Sequence, residues 1–189
     1  IEVVPNAIIN TFEVDKQNVT RGNSVLFSWN VANAESLALN PFGPLVQRTS
    51  GTQSIPFNTS GTFVYTLEAT SLSGVKDQKS KTINVFDPAT ITSFKVNGQE
   101  TVDVSPNADL NFTWNTTSAP TLKLNGTTVT GTAQTLTANA QTGSTTYTLQ
   151  ATNGANDSVS DSVNVNVVGP AVINTFTGPT AVFANSPFN

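Results

Sequence analysis

An internal repeat constrains this chain more than any other feature. Ile9-Asn10-Thr11-Phe12, Ile91-Thr92-Ser93-Phe94 and Ile173-Asn174-Thr175-Phe176 recur at steps of 82 residues, and the same step carries Tyr65-Thr66-Leu67-Glu68-Ala69-Thr70 onto Tyr147-Thr148-Leu149-Gln150-Ala151-Thr152. Self-similarity at a fixed period means copies of one structural unit. Phe27-Ser28-Trp29-Asn30 maps onto Phe112-Thr113-Trp114-Asn115 at a step of 85, so the second copy carries three extra residues before its Trp and three fewer after it. Loops between fixed elements tolerate such changes. Ile1-Glu2-Val3-Val4 aligns with Ile83-Asn84-Val85-Phe86 and with Val165-Asn166-Val167-Val168. The alignment places the last strand of a preceding repeat at 1–4, complete units at 5–87 and 88–169, and the first strand of a further, incomplete repeat at 170–189. An excerpt of a longer tandem array is the expectation, with exchange of end strands between subunits as the alternative.

Within each unit the apolar residues alternate with polar ones, the period of a half-buried strand. Val25, Phe27, Trp29 and Val31 form one row, answered by Leu110, Phe112 and Trp114; Phe63, Tyr65, Leu67 and Ala69 form another, answered by Tyr147, Leu149 and Ala151; Val163, Val165 and Val167 form a third. Leu37 with Leu39, and Leu122 with Leu124, supply a short strand after the Trp strand. Turn signals separate the rows, among them Asn40-Pro41-Phe42-Gly43-Pro44, Asn125-Gly126 and Asn153-Gly154. Asn125-Gly126 is a hairpin candidate. About seven short antiparallel strands in roughly 80 residues predict an all-β fold, a pair of tandem immunoglobulin-like β-sandwiches.

Composition narrows the chemistry. The chain contains no Cys and no His, which excludes thiolate nucleophiles, Ser-His-Asp relays, thiolate or imidazole metal sites and disulfides. With 8 Lys and Arg against 12 Asp and Glu, it lacks the clustered cations that nucleic acid requires. Its polarity comes from 30 Thr, 22 Asn and 17 Ser, and no apolar run approaches the roughly 20 residues of a membrane span. Carboxylates are the one plausible catalytic set, but a glycosidase needs two facing across a cleft, and Glu68 in one unit is Gln150 in the other. The expectation is a protein that is not an enzyme and has no catalytic, cofactor-binding or metal site; Asp87 at the junction, an oxygen ligand of the kind calcium takes, reads as a turn residue.

Each unit thus reads as Ile-x-x-Phe, a Val-x-Phe-x-Trp-like strand, Leu-x-Leu, and a Tyr-Thr-Leu-x-Ala-Thr strand followed by alternating Val. This resembles the bacterial immunoglobulin-like repeats found in tandem in secreted and surface proteins. The resemblance covers the whole chain and implies stalks, spacers or adhesive modules. Where disulfide-bonded immunoglobulin domains carry their two Cys, this chain has Trp29 and Tyr65, so the resemblance implies that Trp29 with Tyr65, and Trp114 with Tyr147, pin the two sheets together. Such aromatic pairs contribute about 0.5–1.5 kcal/mol beyond burial.

Three surface features complete the reading. Lys76, Lys79 and Lys81 cluster in one strand, either as edge protection or as a basic contact. Phe42, flanked by Pro41 and Pro44, is either a recognition aromatic or a plug at the sandwich end. Six Asn-x-Ser/Thr sequons, at Asn18, Asn58, Asn111, Asn115, Asn125 and Asn156, are possible glycosylation sites. Junctions such as Val85-Phe86-Asp87-Pro88-Ala89 contain no flexible linker, which restricts bending. The function expected is a structural stalk, fibre or filament segment of an extracellular, cell-surface or virion-surface protein, whose partners are neighbouring repeats or copies of itself, with surface glycans as a further candidate partner. The alternative is an adhesin or a carbohydrate-binding accessory module of a larger secreted protein.

Overall fold

The Ile-x-x-Phe spacing that opens each unit breaks strict alternation, since residues three apart on a regular strand face opposite ways. The computed structural model, which describes residues 4–139, 141–175, 177 and 178, resolves the conflict with a β-bulge. Ile9 pairs with Val31 and Thr11 with Asn30, leaving Asn10 as the extra residue, so that Ile9 and Phe12 both point inward. The second unit repeats the bulge at Thr92. An inserted residue of this kind restores the facing of the next side chain.

The first unit contains β1 (Ile8–Val14), β2 (Asn18–Thr20), β3 (Ser24–Ala32), β4 (Ser36–Asn40), β5 (Gly43–Pro44), β6 (Ser50–Pro56), β7 (Gly61–Thr70) and β8 (Lys76–Phe86). They form two sheets, β1-β3-β6 and β2-β8-β7-β4-β5. The second unit contains β9 (Thr90–Val96), β10 (Thr101–Val104), β11 (Asp109–Thr117), β12 (Thr121–Leu124), β13 (Thr127–Val129), β14 (Ala133–Thr137), β15 (Gly143–Thr152) and β16 (Ser158–Val167). Its sheets are β9-β11-β14 and β10-β16-β15-β12-β13, the same order. No described residue is helical. The fold is all-β, in two tandem immunoglobulin-like sandwiches, each with eight strands where the sequence suggests about seven. β2 and β10 pair parallel to β8 and β16, a departure from the expected antiparallel set.

That parallel ladder arises because the chain changes sheets after β1. Asp15 anchors the crossing: its amide donates to Leu26 O at 3.1 Å and its carboxylate accepts from Leu26 N at 2.8 Å. Asn97 does the same work in the second unit, accepting from Asn111 N at 2.9 Å. The three extra residues of that unit fall here, where Asn97 and Gly98 turn with φ of 48° and 81°. The later shortfall of three is a net figure. Phe27 pairs with Gln53 and Phe112 with Gln134, so the step has fallen from 85 to 81 (134 − 53) by β14, and Gly61 to Gly143 restores 82.

Each sandwich has its own core. Phe12, Val25, Phe27, Leu39, Leu67 and Ile83 are buried in the first, and Phe94, Leu110, Phe112, Leu124, Leu149 and Val163 in the second. The expected inward rows are therefore inward. Asn125 and Gly126 make the expected hairpin between β12 and β13, both with positive φ, the two-residue turn that favours Asn-Gly. Of the strand expected at 1–4, residues 1–3 lie outside the described residues. Of 170–189, residue 176 and residues 179–189 do too, and residues 170–175, 177 and 178 carry no strand.

Candidate functional site at the junction of the two sandwiches

The two units meet through three residues, Asp87-Pro88-Ala89, between the end of β8 and the start of β9. Ala89 is already buried in the second core, so the connection has no slack. The first sandwich presents the paired ends of β2 and β8, with Thr20 opposite Phe86. The second presents the turn between β15 and β16, Asn153–Asp157.

Asn153 organises the contact and is buried, 3% exposed. Its Oδ1 accepts from Ala155 N at 2.9 Å and Asp157 N at 3.0 Å, which fixes the turn. Its Nδ2 donates across the junction to Thr20 Oγ1 at 2.7 Å and to the Asp87 carbonyl at 3.2 Å. The Thr20 hydroxyl, buried as well, donates in turn to Asp157 Oδ2. Every polar atom of this buried set has a partner, the condition under which burial is not destabilising. Next to it, the Phe86 ring lies on the backbone of Gly154, where any Cβ would overlap the ring. Arg21 Nε meets Asp87 Oδ1 at 2.6 Å and Ser60 Oγ donates to Asp87 Oδ2 at 3.2 Å. Arg21 and Asp87 are about half exposed, so this ion pair orients more than it stabilises. Beside the docked turn a cleft of about 580 Å³ opens, lined by Ser60, Phe86, Asp87, Thr116, Ser118 and Pro120. Asp87, the carboxylate facing this cleft, is already engaged by Arg21 and Ser60. The arrangement is suited to holding two bodies together.

Trp29, Tyr65, Trp114 and Tyr147 are all buried, but the rings that meet across the sheets are different ones. Tyr65 on β7 packs against Phe27 on β3, centroids 4.9 Å apart and tilted 47°, and Tyr147 packs against Phe112 at 4.8 Å and 48°. The expected Trp29–Tyr65 and Trp114–Tyr147 pairs are thus corrected by one inward position, because the residue two before each Trp sits at the level of the Tyr. The indoles have another task. Trp29 Nε1 donates to Gln47 O at 3.2 Å and Trp114 Nε1 to Gly131 O at 2.9 Å, tying the loop before β6 or β14 to the strand beside it.

Lys76 bonds Glu68 at 2.8 Å and Lys81 bonds Glu13 at 2.6 Å, while Lys79 donates to the Asn10 carbonyl at the bulge. The Lys76 and Gln78 hydrogen bonds hold the Glu68 carboxyl below its usual range. These lysines line the part of β8 that β2 leaves uncovered, and each is engaged within its own sandwich. Phe42 is 49% exposed beside a groove of about 400 Å³ that also includes Trp29, Val46 and Gln53. The six sequon asparagines are exposed. Asn18 accepts from Asn84, Asn111 from Thr135, and Asn125 from the Thr148 amide, in each case through Oδ1. In the sequence Asn153-Gly154 spells a turn and nothing more. The available signal was its contrast with the repeat-equivalent Ser71-Leu72.

No protein-family model matches the chain, and no curated protein matches it. Solved structures do. Titin domains I67–I69 align with a TM-score of 0.55 and 17% identity, covering 90% of this chain and 68% of that one. Sidekick-1 immunoglobulin domains 1–5 align at 0.55 and 12%, covering 88% and 40%. The eight N-terminal immunoglobulin domains of Down Syndrome Cell Adhesion Molecule align at 0.55 and 13%, covering 87% and 25%. The chain spans well under half the length of the last two. At these identities the likeness establishes the tandem immunoglobulin-like fold.

Proposed function

We propose that this chain is a semi-rigid segment of a stalk, fibre or filament on an extracellular, cell or virion surface, in which successive sandwiches transmit orientation from one to the next. The observation that carries the reading is the buried Asn153 amide, which hydrogen-bonds Thr20 and the Asp87 carbonyl across a three-residue connection. A loose string of beads has no need of a buried, fully paired polar contact between its units. Neutral Thr and Asn faces keep such a segment soluble, and any glycan carried by Asn18, Asn58, Asn111, Asn115, Asn125 or Asn156 would stand on exposed positions, detectable by mass spectrometry of the native protein. The decisive experiment is a distance distribution between two spin labels, one in each sandwich, read by pulsed electron paramagnetic resonance. A single narrow peak is expected. A broad distribution typical of freely pivoting domains would overturn the proposal.

A second reading, adhesive binding to surface glycans, is favoured by one feature, the Phe42 loop, which has no counterpart of equal length in the second unit. An exposed ring beside amide side chains suits a sugar face. Glycan-array binding lost in Phe42→Ala and retained in Lys79→Ala would support it, and an unbound array would remove it.

A further inference from the structure

Asn-Gly occurs at three places in the chain, Asn97-Gly98, Asn125-Gly126 and Asn153-Gly154. Asn97 and Asn125 are exposed, away from the junction. At the third place the docking geometry dictates both residues. An amide is required because Oδ1 accepts within the turn while Nδ2 donates across the junction, and a glycine is required because any Cβ would overlap the Phe86 ring. A step of 82 puts Ser71-Leu72 at this position in the first unit, so the dipeptide belongs to the junction and not to the repeat.

That dipeptide has a chemistry of its own. Asparagine is a labile residue, most of all before glycine, where no side chain shields the next backbone nitrogen. That nitrogen attacks the side-chain Cγ; the Cγ–Nδ2 bond breaks, and ammonia leaves with the proton the attacking nitrogen gives up. Water then opens the five-membered imide at one of its two carbonyls, giving aspartate or isoaspartate, with nothing oxidised or reduced. Asn153 is half prepared for the first step. Its Oδ1 reaches past Gly154 to the Ala155 amide at 2.9 Å, which folds the side chain over the Gly154 peptide. Docking opposes the second half, because the leaving nitrogen is tied to Thr20 Oγ1 at 2.7 Å and to the Asp87 carbonyl at 3.2 Å, and the residue is buried.

We propose that Asn153 is a deamidation site which docking protects and whose conversion unlocks the junction for good. When the sandwiches part, Nδ2 is released and water reaches the turn, so the imide forms and opens. An aspartate at 153 still accepts from the Ala155 and Asp157 amides and keeps the turn, but it has no proton to donate to Thr20 or to the Asp87 carbonyl. It also sets a negative charge beside the Asp157 carboxylate, which takes the Thr20 hydroxyl proton, and a buried charge without a partner is costlier than a buried amide without one. Isoaspartate lengthens the main chain by one carbon next to Gly154, under the Phe86 ring. Each opening thus carries a chance of becoming permanent. The inference rests on the semi-rigid reading above and adds the way in which that rigidity is lost.

Two measurements test it. In the first, the chain and its Thr20→Val variant are aged in mildly alkaline buffer, and peptide mapping by mass spectrometry follows conversion at each Asn-Gly. Asn97 and Asn125 should convert at the same rate in both proteins, while the rate at Asn153 should rise by about 5- to 150-fold in Thr20→Val, the factor by which losing that contact favours the open junction. In the second, the unaged Asn153→Asp variant carries the same pair of spin labels, with circular dichroism to check that both sandwiches are folded. Its distance distribution should broaden, and the distribution of aged wild type should broaden in step with conversion at Asn153. Equal rates at Asn153 in both proteins, no conversion there while Asn97 and Asn125 convert, or a narrow distribution for Asn153→Asp would each overturn the proposal. A narrow distribution in both unaged wild type and Asn153→Asp would sink this inference and leave the semi-rigid segment standing, whereas a broad one in unaged wild type would remove both.

Discussion

The Asn153 amide of the second sandwich donates to Thr20 Oγ1 of the first at 2.7 Å, and the same hydroxyl donates onward to Asp157. Among the described residues the Thr20 hydroxyl makes both of its hydrogen bonds to the second sandwich, whereas Asn153 also holds its own turn. Thr20→Val therefore separates docking from folding. It should weaken docking by about 1–3 kcal/mol, the range for a buried group left short of a partner. Chemical denaturation of each sandwich should be nearly unchanged, while the distance between spin labels in the two sandwiches broadens.

Gly154 and Phe86 form a testable pair. Gly154→Val places a branched side chain where the Phe86 ring lies, so it should loosen the junction, and Phe86→Ala should open room for it. A double-mutant cycle read by the same distances should give a coupling of about 0.5–3 kcal/mol, the span for residues in contact. Additive effects would mean that the ring does not rest on this glycine.

Phe27, buried between the sheets against Tyr65, and Phe42, half exposed, should respond oppositely to truncation. Phe27→Ala should cost about 3–5 kcal/mol in urea unfolding. Phe42→Ala should stay within about 0.5 kcal/mol, while losing any glycan binding that the loop supplies.

Burial pushes the Tyr65 phenol above its ordinary value of 10.0. Because the folded form holds its proton longer, the associated stability is complete below the unfolded value and drains away as pH rises through the folded one. Melting temperature should fall above about pH 10, and Tyr65→Phe should flatten that slope. Glu68 has the opposite sign: its pKa is lowered by Lys76 and Gln78, so its contribution is lost as pH falls below the ordinary carboxylate value, and Glu68→Gln, the residue found at 150, should remove that acid dependence.

The rows Val25-Phe27-Trp29-Val31 and Phe63-Tyr65-Leu67-Ala69 were legible because strand facing repeats every two residues and needs no tertiary information. The Trp29–Tyr65 expectation failed by two residues because parity says which face a ring occupies and not how far along the partner sheet it stands. β2 was invisible: three residues, Asn18-Val19-Thr20, carry no period, and the pairing depends on where the chain changes sheets. The junction was half legible. The absence of a linker could be read from Asp87-Pro88-Ala89, but Asn153 spells a turn wherever it occurs, and only the approach of Thr20 and Phe86 gives it a second role.

β2 and β8 run side by side in the same direction, although the chain enters the first sandwich at one end and leaves it at the other. If the two ends are pulled apart, β2 is drawn one way and β8 the other, along their own lengths. Their hydrogen bonds lie across the line of force and must fail together, in shear, instead of peeling one at a time. β10 and β16 repeat the arrangement. Single-molecule stretching should accordingly show two abrupt rupture peaks, and replacing Val19 with Pro, which removes a donor from the first of these clasps, should lower one peak and leave the other.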